Sequence, residues 1–198
     1  MLERFLLTFP TAGATAPIPH STLASLQDEL GGAVFGGGLL RVHTVDSARG
    51  ADACVAAGFT EFAGRIQCFA FDWLGRQFSL DATRGERNDP GVLMFEPGTA
   101  EALEVPATFS TFFDEELVDY ADAALASEFF SQWLEASGSV PAFNECAGYR
   151  TPLFVGGEDT ISNLEITEMD VYWHLIAELR STTRGVPPSS QIRRVDID

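Results

Sequence analysis

The sequence predicts an α+β fold: an antiparallel or mixed central sheet flanked by helices, followed by a mainly helical C-terminal half. Three observations carry this. The stretch GRIQCFAFDWLGRQFSLD (64–81) alternates with period two and turns at Leu74-Gly75, and VLMFEP follows as a further strand after the polar turn RGERNDPG. Apolar residues fall on both faces of the first of these strands, where Ile66, Cys68 and Ala70 alternate with Gln67, Phe69 and Phe71, so that strand reads as central and covered on each side. From Glu101 onward the pattern becomes helical: Leu117, Tyr120, Ala121, Ala124 and Leu125 repeat at 3.6-residue spacing, and Phe129, Trp133 and Leu134 extend the stripe.

The remaining elements follow in order. After a loop of Pro and small residues (10–20), Ser21 is placed to cap a helix whose stripe is Leu23, Leu26 and Leu30 and which Gly31-Gly32 ends. GGGLLRVH reads as a short strand. DSARGADACVAAGF reads as a helix capped by Asp46, packed by Ala53, Ala56 and Ala57, and stopped by Gly58. Gly138 and Pro141 end the long acidic helix, and TPLFVGGED (151–159) reads as a short strand and turn. In the last helix Thr167 caps, with Asp170 at the capping-box position, and Met169, Tyr172, Trp173, Ile176 and Leu179 face the core.

At 198 residues with 45% hydrophobic composition, sixteen Phe and three Trp, the chain has material for a sizeable core. The three Trp, with Phe69 and Phe71, are expected to be buried in a core that both halves share. A net charge of −17 excludes nucleic acid or an anionic membrane as the main partner, since both need a positive surface. Lysine is absent, so every base is Arg. Glu3 and Pro10 spoil the short N-terminal apolar run as a secretion signal, and no run approaches the ~18 apolar residues of a membrane span. A soluble, cytoplasmic protein is expected. Cys54, Cys68 and Cys146 are scattered in apolar text and read as buried free thiols.

Little in the sequence points to chemistry. FGGGL lacks the Lys-Ser/Thr of a phosphate loop, and GGED (156–159) lacks the longer domain in which cyclic-dinucleotide synthases carry it. His20, His43 and His174 have no metal-ligand spacing, and no GxSxG elbow supports a hydrolase. No catalytic residue, metal or cofactor is assigned.

Acidity is the stronger signal. FFDEELVDYADAALASEFF (112–130) carries six acids and no base, and between Arg87 and Arg150 stand twelve acids and no Arg. On one continuous helix Glu115, Asp119 and Asp122 form a line opposite the apolar stripe; Asp170, His174 and Glu178 do the same on the last helix, near Glu158 and Asp159. Either these faces serve solubility or they complement a basic partner.

RIQCFAFDWLGRQFSLD, FFDEELVDYADAALASEFFSQWL and GYRTPLFVGGEDTISNLEITEMDVYWHLIAEL together resemble immunity proteins of the Tdi type, which protect bacteria against type VI secreted DNase toxins. The resemblance covers about residues 15 to 183 and is most specific at Pro152 to Asp159, Asn163 to Glu165 and Met169 to His174. It implies a GAD-like N-terminal domain (1–104) and an immunity domain (105–184); the remaining GVPPSSQIRRVDID (185–198) reads from its composition as a mobile tail. It also implies a protein that is not an enzyme and binds a cognate secreted nuclease with a basic surface. Glu115, Asp119, Asp122, Glu158, Asp159, Asp170 and His174 are then the candidate contacts. A DNase needs a cationic surface to hold phosphates, so an acidic partner can associate fast and compete with DNA. The alternative is a small-ligand-binding regulatory module with its pocket between sheet and helices; an uncharacterised hydrolase ranks third.

Overall fold

A computed structural model of the chain describes residues 2–11 and 22–183. The tail from 185, most of the 10–20 loop, His20 and Ser21 lie outside the described residues.

Six strands form a meander in which every neighbour is antiparallel: β1 (Val34–Phe35), β2 (Leu40–Val42), β3 (Ile66–Asp72), β4 (Gln77–Glu86), β5 (Asp89–Glu96) and β6 (Glu101–Thr108). The sheet is therefore wider than the three-strand core expected around β3, and β6 occupies text read as helical. That strand lies at the sheet edge and carries Glu101, Glu104 and Pro106; an edge position tolerates the N–H that proline lacks. A bulge between Cys68 and Ala70 breaks the simple alternation of β3. Ile66 and Cys68 face one side, whereas Phe69 and Ala70 both join the core on the other.

Helices cover both faces. On one, α3 (Val45–Gly58) and α8 (Met169–Thr183) pack Ala51, Val55, Phe59 and Trp173 against Ile66, Cys68, Leu93 and Phe95. Thr44, not Asp46, caps α3 by accepting from Ser47 N, and Ala48, Ala51 and Val55 are its buried residues while Ala53 and Ala57 are exposed. On the other face lie α1 (Glu3–Thr8), α2 (Leu23–Leu30, capped by Thr22) and the acidic region, with Phe5, Leu26, Phe112, Phe113, Leu125 and Trp133 packed on Phe69, Phe78 and Met94. This larger core runs from Leu2 to Leu164, so both halves of the chain contribute to it. All three Trp, with Phe69 and Phe71, are buried.

The acidic region is not one helix. It is α4 (Phe109–Thr111), a π turn at Phe112–Glu116, α5 (Leu117–Asp119), α6 (Ala121–Leu125) and α7 (Ser127–Ser137). In the π turn the adjacent rings of Phe112 and Phe113 both enter the core, packed edge-on at 5.2 Å between centroids. Tyr120, assigned to the apolar stripe, interrupts the helix and is 62% exposed, and Ala126 adopts a left-handed conformation (φ 50°) that separates α6 from α7.

The C-terminal half is less helical than expected. Strands β7 (Glu145–Tyr149) and β8 (Leu164–Glu168) pair as a separate antiparallel ribbon, whereas the strand expected at 151–159 is a short 3₁₀ turn and loop. Thr167 accordingly lies in β8 and does not cap α8. Gly157 closes this loop by packing on the Thr151 carbonyl, where a Cβ would collide. Ala147 N donates to Trp73 O at 2.8 Å and the Trp173 indole N–H donates to Gly75 O at 2.8 Å, fastening ribbon and α8 to the β3–β4 turn.

Candidate partner-binding surface

Charged residues stand inside the apolar strands β3 and β5. Asp72 is fully buried, Arg76 nearly so, and the guanidinium lies 2.5 Å from Asp72 Oδ2 and 3.6 Å from Glu96 Oε2. Asp72 Oδ1 also accepts from the backbone N–H groups of Leu74 and Arg76, each at 3.0 Å, so it shapes the β3–β4 turn. Burial pushes Glu96 up to about 7 against the pull of Arg76, with Asp72 and Asp159 adding to the rise.

A raised folded value makes the protein take up a proton on folding above the unfolded value near 4.5. The stability contributed by Glu96 is therefore full below about 4.5 and is lost as pH rises through about 7. At roughly 1.4 kcal/mol per pH unit of separation, the loss is on the order of 3 kcal/mol. Urea unfolding of wild type and Glu96→Gln between pH 5 and pH 8 checks this. The stability of wild type relative to the variant should decline across that range, and a flat difference would refute it.

Above this buried network opens a groove of about 450 Å³ whose lining includes Asp122, Glu128, Phe129, Gln132, Tyr149 and Asp159. Its carboxylates are aimed by the fold. Asp122 Oδ1 accepts from Glu128 N at 2.8 Å, capping α7, and Asp159 Oδ1 accepts from Tyr149 Oη–H at 2.6 Å. The base among the groove's lining residues is Arg76, already engaged by Asp72. The groove thus presents negative charge with no exposed base among its lining residues to cancel it.

The structure redistributes the sequence-predicted residues. Glu115, Asp119 and Asp122 do not share a helix, because the chain breaks at Tyr120. Asp119 pairs with Arg4 at 2.5 Å and Asp114 accepts from Phe5 N at 3.0 Å, so part of this acidity anchors α1. Glu115 is exposed outside the groove. Asp122 and Asp159, assigned to different clusters, both line the groove. Glu158 lies exposed next to Asp159. Asp170 instead borders a second cavity with Asp46 and Glu168, and His174 lies exposed 3.2 Å from Glu178. Sequence reasoning missed Glu96, Glu128 and Arg76. The signal for two of them was a charge embedded in apolar strand text, as in DWLGRQF and VLMFEP.

One arrangement touches the hydrolase alternative. Ser47 Oγ lies 2.9 Å from His43 Nδ1, and His43 Nε2 lies 2.8 Å from Gln77 Oε1. The third member is a neutral amide, which offers an imidazolium no charge, and burial lowers His43 to about 4. This chain of hydrogen bonds ties β2, α3 and β4 together.

No curated protein matches the sequence. Among solved structures, the crystal structure of Atu4351 from Agrobacterium tumefaciens is similar at 12% identity, with 90% of this chain and 89% of that chain covered and a TM-score of 0.56. At that identity the likeness concerns the fold alone. Residues 106–180 match the family described as "T6SS immunity protein Tdi1, C-terminal".

Proposed function

We propose that the chain binds and inhibits a cognate secreted nuclease toxin, setting its acidic groove against the basic surface with which the nuclease holds nucleic acid. One observation carries this reading: Asp122, Glu128 and Asp159 all fall within the matched residues 106–180 and converge on one groove. A nuclease must gather cationic side chains to neutralise phosphates, so the same side chains meet complementary potential here. Such complementarity speeds encounter and places the inhibitor where the substrate would lie. Residues 1–104 then supply most of the sheet on which the 105–184 segment is mounted. Binding and occlusion suffice for protection, so the protein needs no catalysis of its own.

The test is co-expression with the toxin encoded beside the gene, read as survival, co-purification and association rate. Reversing Asp122, Glu128 and Asp159 to Arg should abolish protection, slow association by about tenfold or more and flatten its salt dependence. Because Asp122 and Asp159 also hold backbone and Tyr149, the neutral set Asp122→Asn, Glu128→Gln and Asp159→Asn is run beside it, with circular dichroism as the folding control. A reversal at Glu115, Glu135 and Glu178, outside the groove, should leave protection intact. If the folded groove variants still protect fully, the electrostatic account is wrong.

A further inference from the structure

A second cavity, of about 290 Å³, lies between α3, the β3–β4 face and the start of α8, and shares no lining residue with the acidic groove. Its walls include Phe71, Phe143, Met169 and Trp173, and its lining also includes three carboxylates, Asp46, Glu168 and Asp170, with no Arg. These acids are differently engaged. Glu168 accepts from Asn144 Nδ2 at 2.6 Å, and Asp46 holds only an exposed pair with Arg49 at 3.1 Å, a contact worth little in water. Asp170 is exposed, with no ion pair or side-chain hydrogen bond among the described residues. Deeper in, both nitrogens of His43 are occupied by Ser47 and Gln77 and burial keeps the ring neutral, so the nearest cation behind the lining is Arg41, 5.6 Å from the centroid of the Phe71 ring and bonded to the Pro141 and Glu145 carbonyls.

Apolar, partly aromatic walls below a carboxylate mouth suit a cation carried on an apolar stem. Phe71 and Trp173 are buried, so Phe143, half-buried, is the ring in the lining on which a planar guanidinium can stack while it forks to a carboxylate and its stem covers the apolar wall. An ammonium offers a compact, strongly hydrated charge that gains less from a stacked ring. An anion would meet the three acids, and a neutral apolar group would leave them unanswered.

We infer that this cavity receives an arginine side chain of a protein partner, as a second anchor separate from the acidic groove. That the partner is the toxin rests on the function proposed above; the preference for a guanidinium does not.

The purified protein is titrated with butylguanidinium, butylammonium and the uncharged butylurea while the Trp173 indole and Gly50 amide resonances are followed. Saturable shifts with butylguanidinium are expected, at least about tenfold weaker with butylurea and weaker with butylammonium. Two variants locate the effect. In Gly50→Leu a bulky side chain is added at a residue that lines the cavity, where a Cβ meets nothing within 4 Å. Asp46→Asn with Asp170→Asn keeps the volume and removes charge. Both should stay folded, lose the butylguanidinium shifts and bind the toxin at least about tenfold more weakly. If wild type gives no saturable shift, or responds equally to butylurea, the inference is overturned. Probe binding that both variants lose without any change in toxin affinity overturns the partner role. Wild type that fails to bind the toxin sinks the proposed function and removes the toxin as the source of the arginine, while the titration still decides what the cavity takes.

Discussion

Exchanging Asp72 for Ala is expected to destabilise the fold by about 3–5 kcal/mol, the range seen when one member of a buried ion pair is removed and its partner is left uncompensated. Arg76 would keep only Glu96, at 3.6 Å, and the Ala124 carbonyl, at 3.2 Å. Two turn N–H groups, those of Leu74 and Arg76, would also lose their acceptor. Urea unfolding at pH 7 measures the loss. Replacing Asp72 with Leu and Arg76 with Met together should recover much of it, since neither charge is then stranded. A loss below about 1 kcal/mol for Asp72→Ala would show that water reaches Arg76 and that the network is no internal strut.

A loss of similar size, about 3–5 kcal/mol, is expected for Phe112→Ala. Phe112 is fully buried and its ring lies 5.2 Å from Phe69, 5.1 Å from Phe78 and 5.2 Å from Phe113, centroid to centroid. These rings belong to β3, β4 and the π turn itself, so the hole cannot be filled by moving one surface element. The altered turn should also relax toward regular helix, which an increase in far-ultraviolet helical signal on a destabilised background would report. If stability falls by less than about 2 kcal/mol, the site collapses readily and the π turn is not held by its two rings.

Periodicity made the centre of this molecule legible and its margins less so. The apolar alternation of 64–81 and 92–97 marked the central strands directly, because both of their faces are buried and large apolar residues dominate there. Strand β6 was hidden because an edge strand needs no apolar face; Glu101, Glu104 and Pro106 read as anything but sheet. Strand β7, ECAGY, is short and holds Gly148, whose missing side chain makes room for the Tyr172 ring. The helix breaks at Tyr120 and Ala126 left no mark in the 3.6-residue spacing, which continues across them. Acidity marked the stretch that carries the proposed surface, but helical spacing did not tell which acids the fold places around one groove. Asp122, after the helix break, and Asp159, in the loop between β7 and β8, come to line one groove through tertiary structure alone.

The order of the sheet has a kinetic consequence. Strands β3 to β6 each pair with the next in sequence through short loops, so this part of the meander can close at little entropic cost. Helix α8 is different: its Trp173 bonds Gly75 across a separation of 98 residues, and its Arg180 bonds Gly58 across 122. These contacts require closure over about a hundred residues, so α8 is expected to dock after the β3–β6 hairpins have formed. In native-state hydrogen exchange the interior amides of α8 should exchange ahead of those in β4; equal protection would mean that sheet and helix open only together. Since Met169, Asp170 and Trp173 wall the second cavity, each such opening also empties it. A side chain seated there would act as a latch, and its residence time could be read as slowed exchange along one helix.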